Sequence, residues 1–297
     1  MLFDALVINA NPLLNLVHPG PYTPGAVNRV AALAMVAEGK GVNVARVLAR
    51  HGHRVALTGF AGGHSGAWLR ELVRAEGVHD AFVETLAPLR VGFMASDPQD
   101  EHPTTVFPGG FEVTQAECQA LLNRVESWLD SVRLVIASGS VPAPVADGLY
   151  ADLLALCERR GVRCWLDAYG PAMGRALAGP VAPGLSKPNR QEWAQSPGWE
   201  RVEELHITDG AAAIEIVESG RARWRVWPPA LRQVNPVGSG DCYLAGLAHG
   251  WLAGLSWEAR LRYAVAAGAA NALRPDVAMI APEEIPPLLD GVRLERL

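Results

Sequence analysis

Residues 234–254 read VNPVGSGDCYLAGLAHGWLAG. Val234 closes a short apolar run that reads as a strand end. Gly238, Ser239 and Gly240 supply a flexible turn, and the small apolar residues after Asp241 read as a helix packed tightly into a core. Strand, glycine turn and helix in that order leave unpaired N–H donors at the helix N-terminus, where they and the helix dipole favour an anion. Chemistry alone leaves Asp241 two roles. It is a cap on the first turn of its helix, or it is a base that takes a hydroxyl proton while the N–H groups stabilise charge on a transferred phosphoryl group. The phosphate loop G-x-x-x-x-G-K-[ST] occurs nowhere in the chain, so an anion site of the Walker type is excluded.

Outward from this turn the chain repeats one rhythm. ALVIN near the start reads as a first strand, and Val44, Val47 and Leu48 fit an amphipathic helix that ends at Gly52 before the strand RVALTGF. HSGAWLRELVRAEG reads as helix, RVGFMAS as strand, and TQAECQALLNRVESWLDSV as a helix with Thr114 and Glu117 in capping-box spacing. LVIASGS, VRCWLDA, LSKPN and ELHITDG follow as strands or strand ends, with residues 144–160 helical between the first two. Short Val/Leu/Ile runs alternating with helices are what a parallel sheet covered on both faces requires. The expected fold is therefore α/β: one doubly wound domain over residues 1–297, with a small β-sheet lid drawn from about 11–37 and 91–107.

Composition narrows the partners. Of 297 residues, 49% are hydrophobic and 19% charged, which is ordinary for a globular chain that can bury a sizeable core. The net charge of −5 supplies no basic field for nucleic acid or an anionic membrane, so an anionic ligand must be held by a few local donors. Cys118, Cys157, Cys164 and Cys242 form neither a C-x-x-C pair nor a disulfide framework, and a reducing cytoplasm is expected. No signal peptide or membrane span is expected, because the longest uncharged stretch is broken by Pro and Asn. His51 and His53 lack a third ligand nearby and read as solvated loop. The nine tryptophans are scattered and read as packing residues.

The motifs taken together resemble a known family. NPVGSGDCYLAG is similar to the C-terminal signature of the phosphofructokinase B group of ribokinase-like carbohydrate kinases, and AEGKGVNVARVLARHG with TGFAGG is similar to its N-terminal one. NP at 11–12, SGSVP at 138–142, KPN at 187–189 and AAGAAN at 266–271 extend the resemblance over nearly the whole chain. The SGS, KPN and NPVGSGD forms look most like the branch of 1-phosphofructokinase and tagatose-6-phosphate kinase. The resemblance implies ATP and Mg²⁺, a sugar-phosphate substrate, Asp241 as base, and Gly238, Ser239 and Gly240 as the anion hole. It implies that Gly39, Lys40 and Asn43 line the sugar site. Arg90 and, second to it, Arg29 are implied to reach the substrate phosphate, with a backbone N–H from Gly139. Lys187 and Asn189 would lie near the ATP phosphates, Glu192 near the metal through water, Thr208 and Gly210 beside the nucleotide, and Asn271 near adenine. Asn189 and Glu192 equally fit a helix cap with its capping-box acid. Asn271 equally fits a structural role within its helix.

Several positions depart from the family pattern. Asn15 stands where an Asp binds sugar hydroxyls, and Glu38 stands where the first glycine of the GGKG motif is usual. An amide cannot make the charge-assisted hydrogen bonds of a carboxylate. Glu38 either compensates for that loss or repels a phosphorylated substrate. Asp209 and Ala213 replace the usual Leu and second Gly of the nucleotide loop. Two other readings stay open: a kinase of an unphosphorylated sugar or nucleoside, and a catalytically weak sugar-phosphate-binding regulator. A homodimer through the lid is the expected assembly.

Overall fold

The computed structural model describes residues 3–18, 20–95, 104–218 and 222–297. Among them a ten-stranded sheet runs in the spatial order Arg293–Arg296, Ala222–Trp227, Ile214–Glu218, Glu204–Ile207, Leu185–Ser186, Arg163–Asp167, Leu134–Ser138, Ala5–Asn9, Val55–Gly59 and His79–Asp80. Neighbours from Glu204–Ile207 to His79–Asp80 pair in parallel, and the three strands beyond Glu204–Ile207 pair antiparallel.

The central strands ALVIN, VALTG and LVIAS are buried throughout, because helices cover both faces. The pleat sends alternate residues to opposite cores. Ala5, Val7, Leu57 and Ile136 pack with helices Lys40–Arg50, Ser239–Leu252 and Trp257–Ala272. Leu6, Ile8, Ala56 and Val135 pack with Gln115–Glu126, Leu149–Arg159 and Gly170–Ala178. The doubly wound, mostly parallel α/β fold expected from the strand and helix rhythm is thus present, and the Thr114–Glu117 capping box closes both of its hydrogen bonds.

A second sheet of four strands has the order Ala34–Glu38, Leu13–His18, Val91–Ala95, Thr104–Val106. It occupies the expected ranges except that one strand runs on to Glu38, while residues 96–103 of the expected range lie outside the described residues. Other expectations need correction. The helix expected over 144–160 begins at Leu149, after a turn containing Pro142 and Pro144, which carry no N–H for a helical hydrogen bond. Val234 does not end a strand, since Ala222–Trp227 stops earlier and the proline-bearing stretch 228–238 is irregular. The antiparallel strands Ile214–Glu218, Ala222–Trp227 and Arg293–Arg296 were not anticipated. His51 and His53 are not simply solvated: His53 Nε2 lies 2.9 Å from His249 Nδ1, and the His51 ring packs on His249 and Tyr263. All four cysteines are buried and free. Among the described residues no helix is long and apolar enough to cross a membrane.

Candidate active site

Parallel strands end where their connecting helices begin, and the crevice beyond their carboxyl ends is the usual ligand site of such sheets. Here Asn9, Ser138, Asp167, Ser186 and Ile207 are the last residues of five such strands. Beyond them, between the main sheet and the small one, opens a cavity of about 770 Å³. Leu13, Glu38, Gly39, Arg90 and Phe107 line one end, Lys40, Asn43, Lys187 and Asp241 the middle, and Pro228, Pro229, Leu231, Val265 and Ala272 the other end.

Gly238 holds the turn ahead of helix Ser239–Leu252 at φ +82°, where a side chain would be strained and a Cβ would meet Val277 Cγ1 at 2.7 Å. The turn commits the Ser239 N–H to Pro236 O at 3.1 Å. The N–H groups of Gly238 and Gly240 have no hydrogen-bond partner among the described residues. The anion hole read from the sequence therefore consists here of two free donors rather than three. Asp241 follows in the first helical turn, buried, with Oδ2 accepting from Asn43 Nδ2 at 2.8 Å. Burial is the dominant influence on its carboxyl and raises its pKa to about 6, against the pull of Lys40, Asn43 and Lys187.

Behind Asp241 lies a charge cluster. Asp167, fully buried, sits 3.6 Å from both Lys40 Nζ and Lys187 Nζ, and Lys40 Nζ also lies 3.2 Å from Glu192 Oε1. Burial alone would raise the Asp167 pKa, but Lys187 and Lys40 outweigh it and hold the carboxyl below its ordinary value. Burial likewise acts to lower Lys40, and the carboxylates of Asp167, Glu192 and Asp241 outweigh it, so Lys40 stays firmly cationic. Lys187 Nζ lies so close to the glycine turn that a Cβ on Gly240 would come within 3.0 Å of it. The GKG segment reaches the cavity because Gly39, at φ +140°, leaves no room for a side chain: a Cβ would fall 2.3 Å from Asn9 Oδ1.

The other candidates divide. Thr208 and Gly210 line the cavity. Asn189 and Glu192 line it too, but they form the capping box of helix Arg190–Ala194, with Asn189 Oδ1 accepting from the Glu192 N–H at 2.8 Å. Arg90 lines the cavity while three of its N–H groups donate to the carbonyls of Asn11, Pro12 and Pro108, so much of the guanidinium fastens backbone. Asn15 is fully buried and reaches the cavity only through Glu38, to which its Nδ2 donates at 2.9 Å. Three expectations are corrected. Arg29 is exposed and is not part of the cavity lining. The Gly139 N–H donates to Asp167 O at 2.9 Å and is not offered to a ligand. Asn271 is fully buried and braces the turn, donating to Val237 O and Ser239 Oγ and accepting from the Ala278 N–H.

Sequence reasoning missed Asp167 and Arg46. The signal for Asp167 was present, since VRCWLD is an apolar strand ending in a carboxylate at the ligand-binding edge. Arg46 is fully buried, donates to Asn43 Oδ1 at 2.9 Å and pairs with Glu76, so it orients the amide that holds Asp241. Only its spacing of one helical turn from Asn43 hinted at that role.

Comparison with known proteins identifies the family. Residues 11–284 match the pfkB family carbohydrate kinase profile. A 1-phosphofructokinase of Rhodobacter capsulatus is 36% identical over 280 residues, which cover 86% of each chain. A Thermotoga maritima protein described as a possible 1-phosphofructokinase superposes with a TM-score of 0.89 at 22% identity, covering 99% of both chains. Phosphofructokinase-2 of Escherichia coli gives 0.87 at 23% identity, covering 97% of this chain and 98% of that one. At those identities the two structures speak for the fold, whereas the length and identity of the sequence matches speak for descent. The chain belongs to the pfkB family of carbohydrate kinases.

Proposed function

We propose that this kinase transfers the terminal phosphoryl group of ATP to a hydroxyl of a ketohexose monophosphate of the fructose 1-phosphate or tagatose 6-phosphate type, giving the bisphosphate. The observation that carries the reading is Asp241, a buried carboxylate with a pKa of about 6, set in the same helical turn as the two free N–H donors of Gly238 and Gly240. Near neutral pH it is ionised yet close enough to the hydroxyl's needs to accept a proton as the oxygen attacks. Asn43 holds Oδ2 and leaves the other oxygen for the substrate. The free N–H groups and the ammonium of Lys187 lie where charge on the transferred group is stabilised. The apolar part of the lining, with Pro228, Pro229, Leu231 and Val265, suits a purine.

Mg²⁺ fits the donor set. The carboxylates of Asp167, Glu192 and Asp241 outnumber the ammonium groups of Lys40 and Lys187, and Asp167 Oδ1 is buried with no hydrogen-bond partner. Asp167, Glu192 and Asp241 would hold the ion, which would supply positive charge to neutralise the nucleotide phosphates. The arrangement of Glu192, engaged by Asn189 N–H and Lys40, supports a role through water rather than direct ligation.

A kinase of an unphosphorylated sugar is the second reading, favoured by the commitment of Arg90 to three backbone carbonyls. A coupled ADP-release screen with fructose 1-phosphate, tagatose 6-phosphate, fructose 6-phosphate, ribose and nucleosides separates them. Turnover on a ketohexose phosphate is the expected result, and turnover confined to ribose or nucleosides overturns it. The small sheet is proposed as a lid of a single kinase domain and as a dimer contact, on the strength of exposed Leu33, Val91, Val106 and Phe107 along it. The four reduced cysteines support a cytoplasmic location.

A further inference from the structure

Strands Leu13–His18 and Ala34–Glu38 pair with Leu13 opposite Glu38 and Asn15 opposite Val36. Asn15 and Glu38 are thus diagonal neighbours on one face of the small sheet. The Asn15 Nδ2 group donates to Glu38 Oε2 at 2.9 Å. Asn15 itself is sealed: it is fully buried, and a Cβ on Gly92 of the adjoining strand would lie 3.2 Å from its Oδ1. Glu38 lines the cavity, and its second oxygen, Oε1, makes no hydrogen bond to protein among the described residues. The nearest buried cation offers it none, because the N–H groups of Arg46 go to Glu76, Asn43 and the Ala37 carbonyl.

An acceptor held from behind and open in front calls for donors from the ligand. Sugar hydroxyls are donors, whereas a phosphate dianion is not and would be repelled by the carboxylate. The amide at position 15 matters as much as the acid. A second carboxylate in its place would leave two acid groups at hydrogen-bond distance, able to persist only by sharing a proton. We propose that Glu38 is the specificity-determining residue of this site, its Oε1 accepting hydrogen bonds from ring hydroxyls of the sugar, and that Asn15 is its positioning residue. The pair orients the substrate by its hydroxyl face. This rests on the reading of the cavity as a sugar-phosphate kinase site and adds which residue reads the sugar.

The test is the steady-state KM for fructose 1-phosphate and, separately, for ATP in the parent and in Glu38→Gln, Asn15→Asp and the double variant Asn15→Asp/Glu38→Gln. Loss of a charge-assisted hydrogen bond predicts a rise of about 10–100-fold in the sugar KM for each single variant, with the ATP KM changed by less than about threefold. The double variant rebuilds an amide–carboxylate pair in reverse, and recovery of about tenfold in the sugar KM is expected. A purely structural pair would move both KM values together and show no rescue. Thermal midpoints establish that each variant is folded, and Glu38→Gln, which keeps size and shape, carries the test if Asn15→Asp folds poorly. An unchanged sugar KM in Glu38→Gln, or parallel rises in both KM values, overturns the proposal while leaving the kinase reading intact. A parent enzyme that phosphorylates no ketohexose phosphate overturns that reading, and this proposal with it.

Discussion

Two buried charged networks lie on either side of helix Ser239–Leu252, and they are built differently. In the cluster of Lys40, Asp167, Lys187, Glu192 and Asp241, two of the ion pairs are as long as 3.6 Å, one Asp167 oxygen has no hydrogen-bond partner, and burial raises the Asp241 pKa to about 6. In the network of Arg260, Glu204, His206 and Tyr243, Arg260 reaches both Glu204 oxygens at 2.7 Å, His206 bonds Glu204 at 2.8 Å, and Tyr243 OH lies 2.5 Å from the other His206 nitrogen. There the dominant burial penalty on Glu204 is outweighed by His206 and Arg260, and its pKa falls. The second network ties strand Glu204–Ile207 to helices Ser239–Leu252 and Trp257–Ala272. Near-complete pairing inside a protein gives rigidity, while incomplete pairing keeps free energy available for a ligand. The first cluster accordingly suits the proposed chemistry, and the second holds helix Ser239–Leu252 in place.

The largest effect expected from this contrast is at Asp241. Asp241→Asn should lower kcat by about 10²–10⁴-fold while ATP binding, measured by calorimetry, is retained. Near wild-type turnover would remove the base from the site. The parent's kcat should rise with pH through about 6, because only the ionised carboxylate accepts the proton. The stability sign is opposite. A carboxyl with a raised folded pKa binds more protons folded than unfolded between the ordinary carboxyl value of 3.8 and about 6, so its contribution to stability falls as pH rises through that window and stays low above it. Asp241→Asn should therefore match or exceed the parent in thermal midpoint at pH 8, while inactive.

Arg260→Ala should show the reverse pattern. Removing one partner of a buried ion pair costs about 3–5 kcal/mol of stability, because Glu204 is left charged without its guanidinium. Urea unfolding should report that loss, with KM values nearly unchanged for the fraction that remains folded. A stable variant with a raised ATP KM would transfer Arg260 to the functional class.

The smallest change is Tyr243→Phe. It removes one hydroxyl from the Arg260–Glu204–His206 network, in which Arg260 Nε already has no hydrogen-bond partner, and should cost about 1–2 kcal/mol in unfolding free energy. Tyr243 also lines the cavity, so its effect on the ATP KM measures how far the two networks are coupled across one helix. No change in either quantity would show that the hydrogen bond to His206 contributes nothing net.

Helix Ser239–Leu252 and the turn ahead of it were legible because what shapes them is local. Glycine at 238 permits the turn, the turn frees N–H groups, and Asp241 follows within the same helical turn, all inside one short stretch. The parallel strands were legible for a similar reason, as an apolar run long enough to be buried on both faces appears directly in the residue order. The antiparallel edge was not: IEIVE and ARWRVW carry charges and lack the apolar run that marked the other strands, and they form a sheet edge through pairing with each other and with Arg293–Arg296. Asn271 and Gly139 show the same limit at the site. Each lies in a recognisable motif, yet what its hydrogen-bonding groups do depends on whether Ala278 and Val237, or Asp167, stand next to them.

By itself the sequence determined the strand and helix alternation, the glycine turn with free N–H groups and the presence of a carboxylate beside it, since these follow from neighbours along the chain. Only the tertiary structure decided which polar atoms remain free to meet a ligand. Lys40, Asp167 and the Lys187–Glu192 stretch come from three separate segments, and Asn15 and Glu38 from two strands whose register fixes their contact. Whether a donor or acceptor is spent or available is a property of its neighbours in space, and burial, which the fold alone sets, gives each unpaired group its chemical weight.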